Sequence, residues 1–119
     1  MDVVQNDRTR LIGAMVEAYN ARDVDRMLSY FAENAVIVDA EGGLLDSGKA
    51  ALREVFAKVF ADNPELHADV TTSIEVGDWV CIHSTVEDWA RGDGTRGPMA
   101  WVELYQVVEG KITRVQLFS

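Results

Sequence analysis

Leu66-His67-Ala68-Asp69-Val70-Thr71-Thr72-Ser73-Ile74-Glu75-Val76 alternates cleanly. Leu66, Ala68, Val70, Thr72, Ile74 and Val76 fall on one side, and His67, Asp69, Thr71, Ser73 and Glu75 on the other. A period of two predicts a β-strand with one face buried. Gly77-Asp78 suits the two-residue turn of a hairpin, and a second strand follows from Trp79 to about Trp89. After a loop from Arg91 to Pro98, a strand from Met99 to Val108 turns at Glu109-Gly110 into a last strand, Lys111 to Phe118. The second half of the chain is therefore an antiparallel meander.

Toward the N-terminus the period changes. Leu11, Ile12, Met15, Val16 and Tyr19 recur at helical spacing, with Asn6 or Asp7 placed to cap that helix. Asp23 stands as N-cap of a second, shorter helix with the stripe Val24, Met27, Leu28 and Phe31. Ala35-Val36-Ile37-Val38-Asp39 reads as a short β-branched strand. Gly42-Gly43 and Asp46-Ser47-Gly48 read as turns. A third helix carries Leu52, Val55, Phe56, Val59 and Phe60 on one face and stops at Asn63, because the residue before Pro64 is pushed out of the helical region. Helices first and a meander after predict an α+β fold over residues 1–119, with helices packed on one face of a curved, mainly antiparallel sheet.

The strand from Met99 to Val108 is apolar on both sides. Met99, Trp101, Tyr105 and Val107 share one face, and Ala100, Val102, Leu104 and Val108 the other. Helices cover only one face of a sheet. The second face predicts a homodimer.

The totals narrow the function. Eleven basic and 20 acidic residues leave a net charge of −9, which repels nucleic acid and anionic lipid surfaces alike. Cys81 is the single cysteine, so no internal disulfide and no thiolate metal cluster is expected. The first residues, Met1-Asp2-Val3-Val4-Gln5-Asn6-Asp7, lack the charged-then-apolar pattern of a signal peptide, and no apolar run approaches the ~20 residues that span a bilayer. A cytoplasmic protein is the expectation.

Gly92-Asp93-Gly94-Thr95-Arg96-Gly97 spells the dinucleotide-binding fingerprint. That site needs a helix N-terminus after the glycines to hold the pyrophosphate. Pro98 and a strand follow instead, so this is a hairpin loop. His67 and His83 lack metal-ligand spacing, and His67 falls on the polar face of its strand. His83 shares a strand face with Cys81, Thr85 and Glu87, either as a partly buried structural histidine or as an acid–base group in a pocket. Asp39 closes an apolar strand. It is either a surface residue or a general base pointing between helices and sheet. Glu103 is the sharpest candidate, a carboxyl between Trp101 and Tyr105 on one face of a two-sided apolar strand. Such a group is costly unless paired or protonated.

Asn20-Ala21-Arg22-Asp23-Val24-Asp25, followed by Tyr30-Phe31-Ala32-Glu33-Asn34-Ala35-Val36-Ile37-Val38-Asp39, resembles the opening of ketosteroid isomerases and their relatives in the nuclear transport factor 2-like (NTF2-like), or SnoaL-like, superfamily. Ser47-Gly48-Lys49 leading into the third helix and Val107-Val108-Glu109-Gly110-Lys111-Ile112 near the end resemble it too. The resemblance implies a cystatin-like cone. It also implies a proton-moving base at Asp39 and a protonated acid at Glu103 that donates to an oxyanion. Met15 stands where those isomerases carry an oxyanion tyrosine, with Tyr19 one turn later. Asp39 with His83 resembles the Asp–His pair of dehydratase relatives. The Asp-Arg-Asp set of limonene epoxide hydrolases is not evident, Arg114 falling away from Val115 and Leu117.

The expected site is a conical pocket lined by Met15, Tyr19, Phe31, Phe56, Trp101, Tyr105, Val115 and Leu117, with Asp39, His83 and Glu103 as its polar, catalytic groups. It suits a small, mostly apolar organic ligand. The expected function is cofactor-independent isomerase, cyclase or dehydratase-like chemistry with no metal. The alternative is a non-catalytic ligand-binding or dimerisation module.

Overall fold

A computed structural model describes residues 7–119, so the Asn6 cap lies outside the described residues. The elements run α1 (Asp7–Asn20), α2 (Val24–Leu28), β1 (Phe31–Val38), β2 (Leu44–Ser47), α3 (Lys49–Asp62), β3 (Asp69–Val76), β4 (Trp79–Ala90), β5 (Arg96–Val108) and β6 (Lys111–Phe118). One six-stranded sheet has the order β2-β1-β6-β5-β4-β3. The strands β3 to β6 form the expected antiparallel meander. β1 joins it in parallel beside β6, and β2 closes that side antiparallel to β1. Buried residues of α1 (Ile12, Met15, Ala18) and α3 (Leu52, Phe60) share one core cluster with residues of the inner sheet face (Val80, Ile82, Tyr105, Ile112).

The caps follow the chemistry of the sequence. Asp23 accepts from the Arg26 N–H at 3.1 Å and starts α2. α2 is only five residues long, and Phe31 opens β1 opposite Ile112 instead of ending the helix. Asp46-Ser47, expected as part of a turn, instead ends an edge strand, Leu44–Ser47, with Asp46 opposite Ile37. Four residues between glycine-rich segments are too few for a period to show. Gly48 then starts α3 at φ 90°, a left-handed conformation that glycine adopts at little steric cost.

One irregularity redirects a whole strand. The pairing of β3 with β4 shifts between Val70 and Thr72. A bulge adds one residue to one strand, and every side chain beyond it changes face. Leu66 and Ala68 are buried, at 3% and 7% exposure, whereas Ile74 and Val76 stand 57% and 69% exposed on the outer face. The alternation seen in the sequence is real, but it does not mark one continuous buried face.

The glycine-rich segment 92–97 is a hairpin connection. The Arg91 N–H donates to the Thr95 carbonyl at 2.9 Å, Asp93 accepts from Thr95, and β5 begins at Arg96. Among the described residues no helix is long and apolar enough to cross a membrane.

Candidate functional site

Between the helices and the inner sheet face lies a cavity of about 380 Å³. All eight residues expected to line it do so: Met15 and Tyr19 from α1, Phe31 from β1, Phe56 from α3, Trp101 and Tyr105 from β5, and Val115 and Leu117 from β6. The structure adds Val16, Ile37, Val55, Val59, Ala68, Met99 and Trp89 to the apolar wall, and Leu45, Asp46 and Ser119 from β2 and the chain end. Ser84 adds a buried hydroxyl from β4. No lysine, arginine or histidine lines it among the described residues.

Polar clips set the positions of the wall. Asn20 at the end of α1 holds Ala68 twice, accepting from its N–H at 2.8 Å and donating to its carbonyl at 3.0 Å. Arg22 donates to the Leu66 carbonyl at 2.8 Å. Together they tie α1, and Tyr19 with it, to the segment entering β3. At the other end, buried Asn63 accepts from the Ala90 N–H at 2.8 Å and donates to the Val59 carbonyl at 2.9 Å. That joins the end of α3 to β4 beside Trp89. The Trp89 and Trp101 rings meet edge to face at 5.2 Å, and Tyr19 packs against Phe56 and Phe60 in the same manner.

Glu103 is the chemical centre. Alternation along β5 puts Met99, Trp101, Glu103 and Tyr105 in one row on the cavity face. The residue keeps partial exposure because it fronts the cavity, while its carboxyl is enclosed by protein. Desolvation pushes its pKa up from 4.5 to about 7, and hydrogen bonding from Tyr105 and from the Trp101 side chain offsets this only in part. The Tyr105 hydroxyl donates to Glu103 Oε1 at 2.9 Å. Burial, and then the Glu103 charge, hold the Tyr19 and Tyr105 phenols above their ordinary range, so both remain O–H donors. The Tyr19 hydroxyl has no hydrogen-bond partner among the described residues, so it remains a free donor in the cavity that holds Glu103.

The structure does not bring Asp39 and His83 into this site. Asp39 turns back into the β1–β2 connection, where Oδ1 accepts from the Glu41 N–H at 3.0 Å and the Gly43 N–H at 2.7 Å. Its carboxylate packs so close that a Cβ on Gly43 would lie 2.8 Å from Oδ2. An aspartate followed by glycines forms such a turn by itself, and that local competition overrides the inward direction its strand position implies. His83 lies on the outer sheet face, opposite Val102, with Nδ1 hydrogen-bonded to the Thr71 hydroxyl at the bulge. No Asp39–His83 pair forms.

His67 is largely exposed beside Asp69. Arg114 pairs across from Gln106 and does not line the cavity.

The SnoaL-like domain family matches residues 12–115. A cystatin-fold protein from Novosphingobium aromaticivorans is 31% identical, with 92% of this chain and 96% of that one covered at a TM-score of 0.81. The epoxide hydrolase/cyclase-like enzyme SalBIII of salinomycin pyran-ring formation is 22% identical over 95% of this chain and 90% of its own, with a TM-score of 0.81. A putative polyketide cyclase from Sinorhizobium meliloti is 19% identical over 91% and 93%, with a TM-score of 0.75. No curated protein matches the sequence. At those lower identities the likeness is one of fold, and it is a fold that small-molecule enzymes use. The family match over 12–115 and the 31% identical relative show that the chain belongs to the SnoaL-like domain family, on the cone shared with nuclear transport factor 2-like and ketosteroid isomerase-like proteins.

Proposed function

We propose that this chain is a cofactor-independent acid–base enzyme of the isomerase, cyclase or dehydratase-like kind, acting on a small, mostly apolar ligand with an enolisable carbonyl. One observation carries the reading: Glu103, held protonated up to about pH 7 in an apolar cavity and braced by Tyr105. A neutral carboxylic acid in such a site donates a hydrogen bond to an oxygen that gains charge. The O–H of Glu103 would point at the ligand carbonyl, with Tyr19 as a second donor. A base then removes a proton from the adjacent carbon, the electron pair moves onto oxygen, and proton return completes the cycle. A wall without cations favours neutral ligands over anionic ones.

The test is hydrogen–deuterium exchange at the α-carbons of 2-tetralone in D2O, followed by proton NMR. The protein should accelerate exchange, and Glu103→Ala should lower the rate by roughly 100-fold, the usual loss for an oxyanion donor. Tight binding of 2-tetralone without exchange would favour a non-catalytic binding module. The absence of Asp39 and His83 from the cavity supports that second reading.

We also propose a homodimer through the outer sheet face. Ile74 and Val76 stand exposed there, beside β4 and β5 positions Cys81 and Leu104.

A further inference from the structure

We propose that Asp46 is the general base of the cavity, the role that the turn around Asp39 leaves unfilled. This rests on the acid–base reading above and adds the residue that moves the proton.

Asp46 sits on edge strand β2 opposite Ile37, which lies opposite Val115, which lies opposite Tyr105. Residues directly opposite in neighbouring strands project from the same face of a sheet. Ile37, Val115 and Tyr105 all line the cavity, and Asp46 completes that row at its edge. Its partial burial places it at the rim of the cavity, open to solvent. No hydrogen bond or ion pair engages its side chain among the described residues. Asp39, by contrast, receives two backbone N–H groups. An unengaged carboxyl at the rim and an enclosed one braced by Tyr105 give the cavity two carboxyls in different environments, which suits them to different roles.

In the reaction, an Asp46 oxygen forms an O–H bond as the α C–H bond of the ketone breaks. The C–H electron pair becomes the enolate π bond, and the carbonyl pair moves to the oxygen held by Glu103. Asp46 then returns the proton, or a deuteron acquired from solvent, to the same or a conjugated carbon. No redox partner is needed.

The experiment is 2-tetralone exchange in D2O with Asp46→Asn, Asp39→Asn and the unsubstituted protein, alongside binding read from tryptophan fluorescence. Asp46→Asn should lower exchange by at least about 100-fold, as loss of a general base does, while 2-tetralone still binds. Asp39→Asn should stay within about threefold. Asp46→Glu should recover part of the lost rate. Exchange retained in Asp46→Asn but lost in Asp39→Asn or Glu103→Ala overturns the role of Asp46 and leaves the acid–base reading standing. No exchange by the unsubstituted protein overturns both. A melting temperature for Asp46→Asn close to that of the unsubstituted protein separates lost chemistry from lost fold.

Discussion

At Glu103 one carboxyl links stability to function. Its folded pKa of about 7 lies above its ordinary 4.5. Between those values the folded chain keeps a proton that the unfolded chain has released, so stability falls as pH rises through that window and levels off above it. A window of about 2.5 pH units at ~1.4 kcal/mol each corresponds to ~3 kcal/mol, less whatever cavity water restores to the anion. Glu103→Gln keeps an acceptor for Tyr105 and removes the titration. It should raise stability at pH 8 by about 1–3 kcal/mol and change little at pH 5. Urea unfolding at the two pH values checks this, and a Glu103→Gln protein less stable at pH 8 would refute the buried acid. The candidacy of Glu103 was legible in the sequence because alternation in β5 needed no outside information. Tyr19 was legible as a lining residue from the helical stripe of α1, whereas Asp46 was not legible as a site residue. Asp46 lay in a segment too short to show a period.

At the scale of elements, the β1–β2 connection depends on Asp39. Replacing it with alanine removes the acceptor of two backbone N–H groups. The expected cost is about 1 kcal/mol, the net worth of a partly solvated hydrogen bond or two. Thermal unfolding of Asp39→Ala measures it, and an unchanged midpoint would show the turn independent of that side chain. Gly43→Ala should cost up to about as much, because its Cβ would meet the Asp39 carboxylate at 2.8 Å and turn it away from its backbone donors. The second element to turn on local detail is β3. Its sequence pattern is perfect, yet a bulge at Val70–Thr72 places the two halves of the pattern on opposite faces. A bulge stays invisible to periodicity when the residues on both sides of it continue the same alternation.

For the whole molecule, the bulge has a consequence. It exposes Ile74 and Val76 on the sheet face that the helices leave uncovered. Burying that patch in a second copy would remove it from water. Sedimentation at micromolar concentration should therefore give about twice the 13.2 kDa chain mass. Ile74→Lys with Val76→Glu should give a folded monomer with an intact circular-dichroism spectrum. A 13.2 kDa species from the unsubstituted chain would overturn the dimer.

The sequence by itself determined the helices that come first, the antiparallel meander that follows, the rejection of Gly92–Gly97 as a nucleotide site and the apolar faces that wall the cavity. Each follows from local periodicity and turn chemistry, which act over a few residues. Tertiary structure decided which polar groups face that cavity. Asp39 was captured by backbone donors of its own turn, and His83 fell on the outer face beside Thr71. Asp46 came into the lining row only through pairing with Ile37. Such outcomes depend on register between strands far apart in the chain. Register is set by packing the whole sheet against the helices, and no short stretch of residues encodes it alone.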